Sequence, residues 1–268
     1  MRCLDKWRLD VANTDWNANH YLRYGDERTR PSIDLVAQIR VVSPGAVVDL
    51  GCGPGNSTQI LRERWTSADI CGIDNSPAMI DAARAAYPDC DWKLADLSQL
   101  GSDPTYDVVF SNAAIQWSRD HRRLIPQLYS LVNAGGALAF QIPSSTYATV
   151  RTLIHEVADD LVWRDRMGGP LSELTMEAPP VYYEILAPWT TKLDIWETEY
   201  YHAMHSPDAI VDWIASTGLR PFLSVLSEET ERSAFVSQLR GRVHEAYRPQ
   251  VDGKVLFPFR RTFVIAYR

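Results

Sequence analysis

Three acidic residues and a run of alternating glycines carry the first chemistry that this sequence declares. Residues 47–55 read Val-Val-Asp-Leu-Gly-Cys-Gly-Pro-Gly, so an apolar run ends on Asp49 and glycines follow at 51, 53 and 55. Gly51, Gly53 and Gly55 relieve a tight turn of Cβ clashes and let a ligand approach the backbone. A dinucleotide fingerprint needs glycine or alanine at position 56, where this chain has Asn56. The pattern therefore turns away from a pyrophosphate and toward S-adenosyl-L-methionine, whose amino-acid end carries a cation for Asp49 to meet. Asp74 is placed to accept both ribose hydroxyls, and Asp96 to accept the adenine amino group. Asn75 and Leu97 flank these acids, and Met79 is positioned to cover an adenine face. Ser111-Asn112-Ala113 offers backbone groups to the methionine portion. One such aspartate alone is well explained as a helix cap or a solvated loop residue. Acids ending three successive strands are not.

The elements that must hold these residues follow from patterning. Strand and helix signals alternate after residue 30, which implies right-handed βαβ units and a mainly parallel sheet. Strands are expected at 46–50, 69–73, 91–94 and 106–111, with helices at 57–64, 76–87 and 120–132. Ser76-Pro77 opens the second helix, because serine caps and proline is tolerated at the first helical position. Residues 137–142, after Gly135-Gly136, form a continuous apolar run fit for a buried fifth strand. Beyond Pro143 the alternation breaks. Residues 192–201 and 256–267 read as two antiparallel strands, and 206–216 and 228–247 as helices. In a sheet of this kind ligands bind outside the carboxyl ends of the strands, where the acids lie.

Composition narrows the function classes. The 268 residues are 46% apolar, enough for one substantial core with an appended cap. A net charge of −7 argues against nucleic acid as a partner, since phosphate neutralisation needs a basic face. No apolar run approaches the roughly 20 residues of a membrane span. The charged start Met1–Lys6 has no signal-peptide core. The expectation is a soluble cytoplasmic protein without membrane or nucleic-acid partners, its oligomeric state left open. Of the cysteines Cys3, Cys52, Cys71 and Cys90, Cys71 and Cys90 read as small buried hydrophobes; neither metal ligation nor disulfides are expected.

With these residues in place, the chain resembles the class I S-adenosylmethionine-dependent methyltransferases and, within them, the trans-aconitate 2-methyltransferase family. The resemblance runs from Trp16-Asn17 and Tyr21-Leu22 through Glu27-Arg28-Thr29-Arg30-Pro31 and the glycine turn. It continues at Gly72-Ile73-Asp74, Ser76-Pro77-Ala78-Met79, Ala95-Asp96, Gln116-Trp117 and Asp120-His121. Tyr182-Tyr183, Asp194-Ile195-Trp196, Thr217-Gly218-Leu219-Arg220-Pro221 and Phe263-Val264-Ile265-Ala266 extend it to the end. It implies a Rossmann-like, seven-stranded, mostly parallel sheet with helices on both faces and an inserted, mainly helical cap. As one methyltransferase domain, the cofactor core takes about 31–143, 191–217 and 253–268, and the cap 1–30, 144–190 and 218–252. Two departures fall where cap meets substrate: Ser144-Ser145 replaces an Asp-Asn pair, and 146–178 matches poorly.

The resemblance implies methyl transfer to a small molecule, with two acceptor readings. A carboxylate nucleophile is already ionised and needs no general base, so the site must gather anionic groups with arginines and hydroxyls. Arg220 is the first candidate, with Tyr182, Tyr183 and Tyr201 as donors; Tyr21 and Trp117 belong to the same substrate set. Arg28 and Arg30 are read as serving the cofactor's carboxylate. The second reading is an aromatic or indole-type acceptor methylated at carbon, nitrogen or oxygen. It requires proton removal, for which His121, His202 and Tyr182 are the candidates. A non-catalytic cofactor-binding module is a third reading, opposed by the intact Asp49, Asp74 and Asp96.

Overall fold

The computed structural model describes residues 25–145, 149–172, 174–215 and 217–268, with backbone alone for 25–28. The first half alternates as α1 (Gly25–Gln38), β1 (Ala46–Leu50), α2 (Asn56–Arg64), β2 (Asp69–Asp74), α3 (Pro77–Ala86) and β3 (Asp91–Leu94). β4 (Tyr106–Asn112), α4 (His121–Ser130) and β5 (Val132–Pro143) complete it. The second half contributes α5 (Thr149–Ala158), α6 (Arg164–Leu171), α7 (Pro179–Leu186) and β6 (Lys192–Met204). α8 (Pro207–Ala215), α9 (Arg220–Ser224), α10 (Glu229–Ala246) and β7 (Val255–Tyr267) follow.

The seven strands form one sheet in the order β3-β2-β1-β4-β5-β7-β6. β7 runs antiparallel to both β5 and β6, and the other pairings are parallel. Strand order reverses between β1 and β4, which opens a crevice beyond their carboxyl ends. Helix starts follow local chemistry. Ser76 Oγ accepts the Met79 N–H to cap α3, and Asp120 Oδ1 accepts the Arg123 N–H to cap α4.

The boundary between α4 and β5 differs from the sequence reading. α4 stops at Ser130, and β5 starts at Val132 rather than 137. Val132 pairs with Tyr106, the register then shifts, and Ala137 pairs with Val108. Gly135 takes φ +80° inside this bulge, and a Cβ on Gly136 would lie 2.5 Å from the Asp107 carbonyl oxygen. The glycine pair therefore sits within the strand as a bulge, a role glycine suits because it tolerates φ > 0 and close backbone approach.

Alternation along the strands separates two cores. Val48, Leu50, Val109, Leu138, Phe140 and Ile142 pack under α4 and α7. Val47, Val108, Phe110, Ala139, Phe263 and Ile265 face α1 and α2. A third core belongs to the cap, where Val150, Ile154, Trp213, Phe235, Leu239, Val243 and Phe257 meet. The helix expected with the cofactor core at 206–216 packs here, because β6 and β7 run on beyond β5 and pair Tyr200–Met204 with Val255–Phe259. Those strand ends form the floor of the cap. Phe235, Leu239 and Val243 are spaced four apart on α10, and truncating such a residue costs about 2–5 kcal/mol.

Among the described residues no cysteine forms a disulfide, and no helix is long and apolar enough to cross a membrane. Cys71 is buried as expected for a small hydrophobe. Cys90 is only half-buried, and its sulfur accepts from Arg62 Nη1 at 2.7 Å.

Candidate active site

The turn after β1 is built around Asp49. Its Oδ2 accepts the hydroxyls of Ser57 and Thr58, each at 2.6 Å, which fastens the start of α2 to the end of β1. The carboxylate is fully buried, and its Oδ1 has no partner among the described residues. Burial raises its pKa to about 6; the two hydroxyls act against this, and the nearby Asp74 charge adds to it. Asp49 thus supports the turn from beneath through one oxygen, with the other unmet among the described residues. Gly51 takes φ +71°, and a Cβ there would stand 2.1 Å from Ala114 Cβ. At Gly53 a Cβ would meet nothing within 4 Å, so the chain itself does not demand its small size.

Asp74 is tied to the same turn. Its Oδ2 accepts the Gly53 N–H and its Oδ1 the Ser76 N–H, both at 2.9 Å. Burial still outweighs these bonds and raises its pKa. The Asn75 N–H is a third backbone donor to this carboxylate, which keeps acceptor capacity for a ribose hydroxyl. Asn75 follows, half-buried. Asp96 caps a short turn at Leu97–Gln99, with Oδ1 accepting from the Ser98 N–H at 2.8 Å and hydroxyl at 2.7 Å. Leu97 is partly buried against the sheet core, and Met79 is buried on α3.

The end of β4 departs from expectation. The Ala113 N–H donates to the Gln141 carbonyl at 2.9 Å, and its carbonyl accepts Gln116 Nε2 at 2.7 Å, so these backbone groups are already engaged. Asn112 instead offers its side chain to a relay. Gln141 Nε2 donates to Asn112 Oδ1 at 2.6 Å, and Arg261 Nη1 donates to Gln141 Oε1 at 3.3 Å. By strand alternation Asp49, Asn112, Gln141 and Arg261 share the face that carries Val47, Phe110, Ala139 and Phe263. Four polar groups therefore line one face at the sheet's carboxyl edge.

Arg261 is only 4% exposed, and its guanidinium also lies 4.7 Å from the centre of the Phe259 ring. Neither Gln141 nor Arg261 was singled out from the sequence. The signal was present, since Phe257, Phe259, Arg261 and Phe263 occupy alternate positions of one strand, which aligns the arginine with buried rings.

The expected catalytic residues do not converge. His121 Nε2 lies 2.8 Å from the Ile115 carbonyl and must donate to it. Its Nδ1 is then the acceptor for the Tyr182 hydroxyl, also at 2.8 Å. Both residues are buried in the core under α4 and α7, and burial pushes His121 down and Tyr182 up. Both ring nitrogens of His121 are thus engaged within the protein. His202 lies in the cap, stacked 5.0 Å from Trp213 and 6.2 Å from Tyr200. It is 7% exposed, its Nε2 has no partner among the described residues, and burial with the Arg261 and Arg30 charges lowers its pKa to about 4.

The expected substrate residues also scatter. Tyr183 is 59% exposed on α7, while Tyr201 is 61% exposed and donates its hydroxyl to Glu199 Oε2 at 2.6 Å. Helical and strand geometry turn them away from their buried neighbours Tyr182 and Tyr200. Trp117 is half-buried in the short turn Ile115–Trp117 after β4, and Arg220, half-buried, opens α9. Arg30 lies 5.4 Å from the Tyr200 ring centre and pairs with Asp34 at 3.9 Å. Tyr21 and the Arg28 side chain lie outside the described residues.

The residues present fit S-adenosylmethionine: an orphaned buried carboxylate oxygen under the turn, open space over Gly53, and acids at the ends of β2 and β3. A model of the methyltransferase domain matches residues 47–136. The trans-aconitate 2-methyltransferases of Shigella dysenteriae serotype 1 (strain Sd197) and Escherichia coli (strain K12 / DH10B) are each 42% identical over 255 residues. Each alignment covers 95% of this chain and 99% of the relative. Among solved structures, the YcgJ protein of Bacillus subtilis superimposes with a TM-score of 0.59 at 12% identity, over 91% of this chain and 99% of that one. A Haemonchus contortus phosphoethanolamine N-methyltransferase 2, solved with S-adenosylhomocysteine, gives 0.57 at 15% identity, over 89% and 52%. At such identities the structures speak for the fold. The sequence relatives speak for more, and by them the chain belongs to the S-adenosylmethionine-dependent methyltransferases.

Proposed function

We propose that this enzyme methylates a carboxylate oxygen of a small, multiply charged acid of the trans-aconitate type. The observation that carries the reading is the 42% identity to trans-aconitate 2-methyltransferases across 95% of the chain. When bound, the cofactor supplies a methyl group on a positively charged sulfur. Asp49, Asp74 and Asp96 are the residues that would hold it, with Met79 and Leu97 beside them and Asn112 toward its methionine end. For an ionised carboxylate the protein needs to bind, orient and exclude water, and needs no base. That requirement agrees with His121, whose nitrogens are both engaged, and with His202, whose pKa of about 4 makes it a weak base. Arg261, buried at the sheet's carboxyl edge and oriented by Gln141, supplies the positive charge an anionic acceptor needs within an acidic protein.

The acceptor is read as a dissolved small molecule and the enzyme as cytoplasmic; the net charge of −7 favours such an acceptor over nucleic acid. Ser144-Ser145 departs from the family pattern, a change that would favour the aromatic-acceptor reading if it shaped the substrate pocket. Ser144 is buried and donates to Glu197 Oε1 at 2.6 Å. Strand alternation directs Glu197 to the face opposite Arg261, so this departure supports a strand edge and says little about aromatic binding. Kinetics of Arg261→Gln test the proposal: the Michaelis constant for trans-aconitate should rise at least tenfold while cofactor affinity stays within twofold. An unchanged constant would count against it.

A further inference from the structure

Arg151 lies on α5. Val150, Ile154, Val157 and Ala158 turn into the cap's core, so Arg151 and His155, one helical turn apart, share the side away from it. The guanidinium is half-buried. Its Nε lies 3.5 Å from His155 Nε2, and its Nη1 lies 3.8 Å from Met176 Sδ. Both are weak acceptors, and donation to Nε2 requires His155 to be neutral there. Among the described residues no carboxylate comes within salt-bridge distance of Arg151, and burial alone lowers its pKa with no acidic charge to offset it. Burial and the Arg151 charge together push His155 down.

Other arginines of the cap behave differently. Arg166 meets Glu231 at 3.0 Å, Arg242 meets Glu156 at 3.0 Å, and Arg240 meets Asp212 at 3.1 Å. The chain has 34 acidic residues against 27 Lys and Arg, so carboxylates are plentiful. Among the described residues the partners of this partly desolvated guanidinium are an imidazole and a thioether, an arrangement that an added anion would stabilise.

Its place in the fold indicates which anion. Met176 follows Thr175, whose N–H donates to the Gln116 carbonyl at 2.9 Å and whose hydroxyl donates to the Arg119 carbonyl at 3.2 Å. Residues 115–117 form the turn immediately after β4, beside Asn112, at the carboxyl edge where the cofactor residues gather. Met176 and Thr175 thus link Arg151, through successive contacts, to the Trp117 turn at that edge.

We propose that Arg151, with His155 beside it, is the cap's anchor for a carboxylate of the methyl acceptor. The inference rests on the carboxylate reading above and adds a specificity-determining residue to it. The planar fork of an arginine matches a carboxylate in two parallel hydrogen bonds, which a lysine at the same position does not reproduce.

The test uses the full chain, unmodified and as Arg151→Gln and Arg151→Lys, with trans-aconitate and an analogue lacking one carboxylate. Binding is followed by calorimetry in the presence of S-adenosylhomocysteine, and turnover by steady-state kinetics. In Arg151→Gln the dissociation and Michaelis constants for trans-aconitate should rise about 10- to 100-fold, with kcat and cofactor affinity within threefold. Arg151→Lys should recover part of the loss. For one of the carboxylates, its removal should weaken binding at least tenfold in the unmodified enzyme and less than twofold in Arg151→Gln. Unchanged constants in Arg151→Gln, or equal losses for all acceptors, overturn the assignment. If the unmodified protein binds trans-aconitate through Arg151 but never methylates it, the anchor stands and the proposed reaction falls.

Discussion

Gly53 donates its backbone N–H to Asp74 Oδ2 at 2.9 Å, which joins the turn after β1 to the end of β2. The carboxylate expected to accept the ribose hydroxyls thus also holds the turn over which the methionine portion must lie. Asp74→Ala removes both functions. Charge-assisted hydrogen bonds contribute about 1.5–3 kcal/mol each, so S-adenosylmethionine affinity should fall at least tenfold, as read by calorimetry. Unchanged affinity would remove Asp74 from the site.

Two glycines of the same turn should respond differently to alanine. At Gly51 the new Cβ collides with Ala114 Cβ at 2.1 Å, and φ +71° adds backbone strain. The variant should lose about 2–4 kcal/mol of stability in urea unfolding. At Gly53, with φ +55° and open space, the loss should be about 1–2 kcal/mol, with a larger effect on cofactor affinity than on folding. Normal cofactor binding by Gly53→Ala would contradict a ligand at that space.

Asp49 makes binding depend on pH. Its folded pKa, about 6, lies above the ordinary 3.8, so the folded state holds more protons between these values. Stability therefore falls as pH rises through that window, by about 3 kcal/mol in total, and the cost is complete above it. A cation bound at the turn favours the ionised carboxylate and releases a proton. Cofactor affinity should weaken as pH drops below about 6, approaching tenfold per unit, and Asp49→Asn should flatten the profile. Calorimetry in two buffers of different ionisation enthalpy reads the proton directly; no release near pH 6 would refute the coupling.

His202 separates the two acceptor readings. Its Nε2 is buried without a partner among the described residues, so Phe at this position removes an unmet polar atom and keeps the stacking surface. His202→Phe should be at least as stable as the unmodified protein at neutral pH. Its folded pKa of about 4 lies below the ordinary 6.5, so the histidine costs stability progressively as pH falls through that window. The variant should lack this loss. If His202 were a required base, kcat would fall about 100- to 10,000-fold; the carboxylate reading predicts less than a tenfold change.

The cofactor half of the fold was legible because each signal was local. Parallel strands buried on both faces read as apolar runs, Ser76-Pro77 marked a helix start, and Asp49, Asp74 and Asp96 marked strand ends. The cap was less legible because its core joins distant segments, with Val150, Trp213, Phe235 and Phe257 meeting through the extended ends of β6 and β7. Adjacent aromatic residues misled for a simple reason. Tyr182 and Tyr183 point about 100° apart on a helix, so one enters the core and the other faces solvent. The His121–Tyr182 bond spans 61 positions, and no local pattern shows that each satisfies the other. Arg151 escaped notice because what distinguishes it is the company it keeps in space.

The central claim is methyl transfer from S-adenosylmethionine to a small carboxylic acid. The direct measurement follows labelled methyl from the cofactor into trans-aconitate, indole and phenol acceptors offered separately, with the product identified by mass spectrometry. The account predicts a methyl ester of the acid, with kcat/KM at least a hundredfold above any aromatic acceptor. Label appearing only in an aromatic product, or in none of the three, would contradict it.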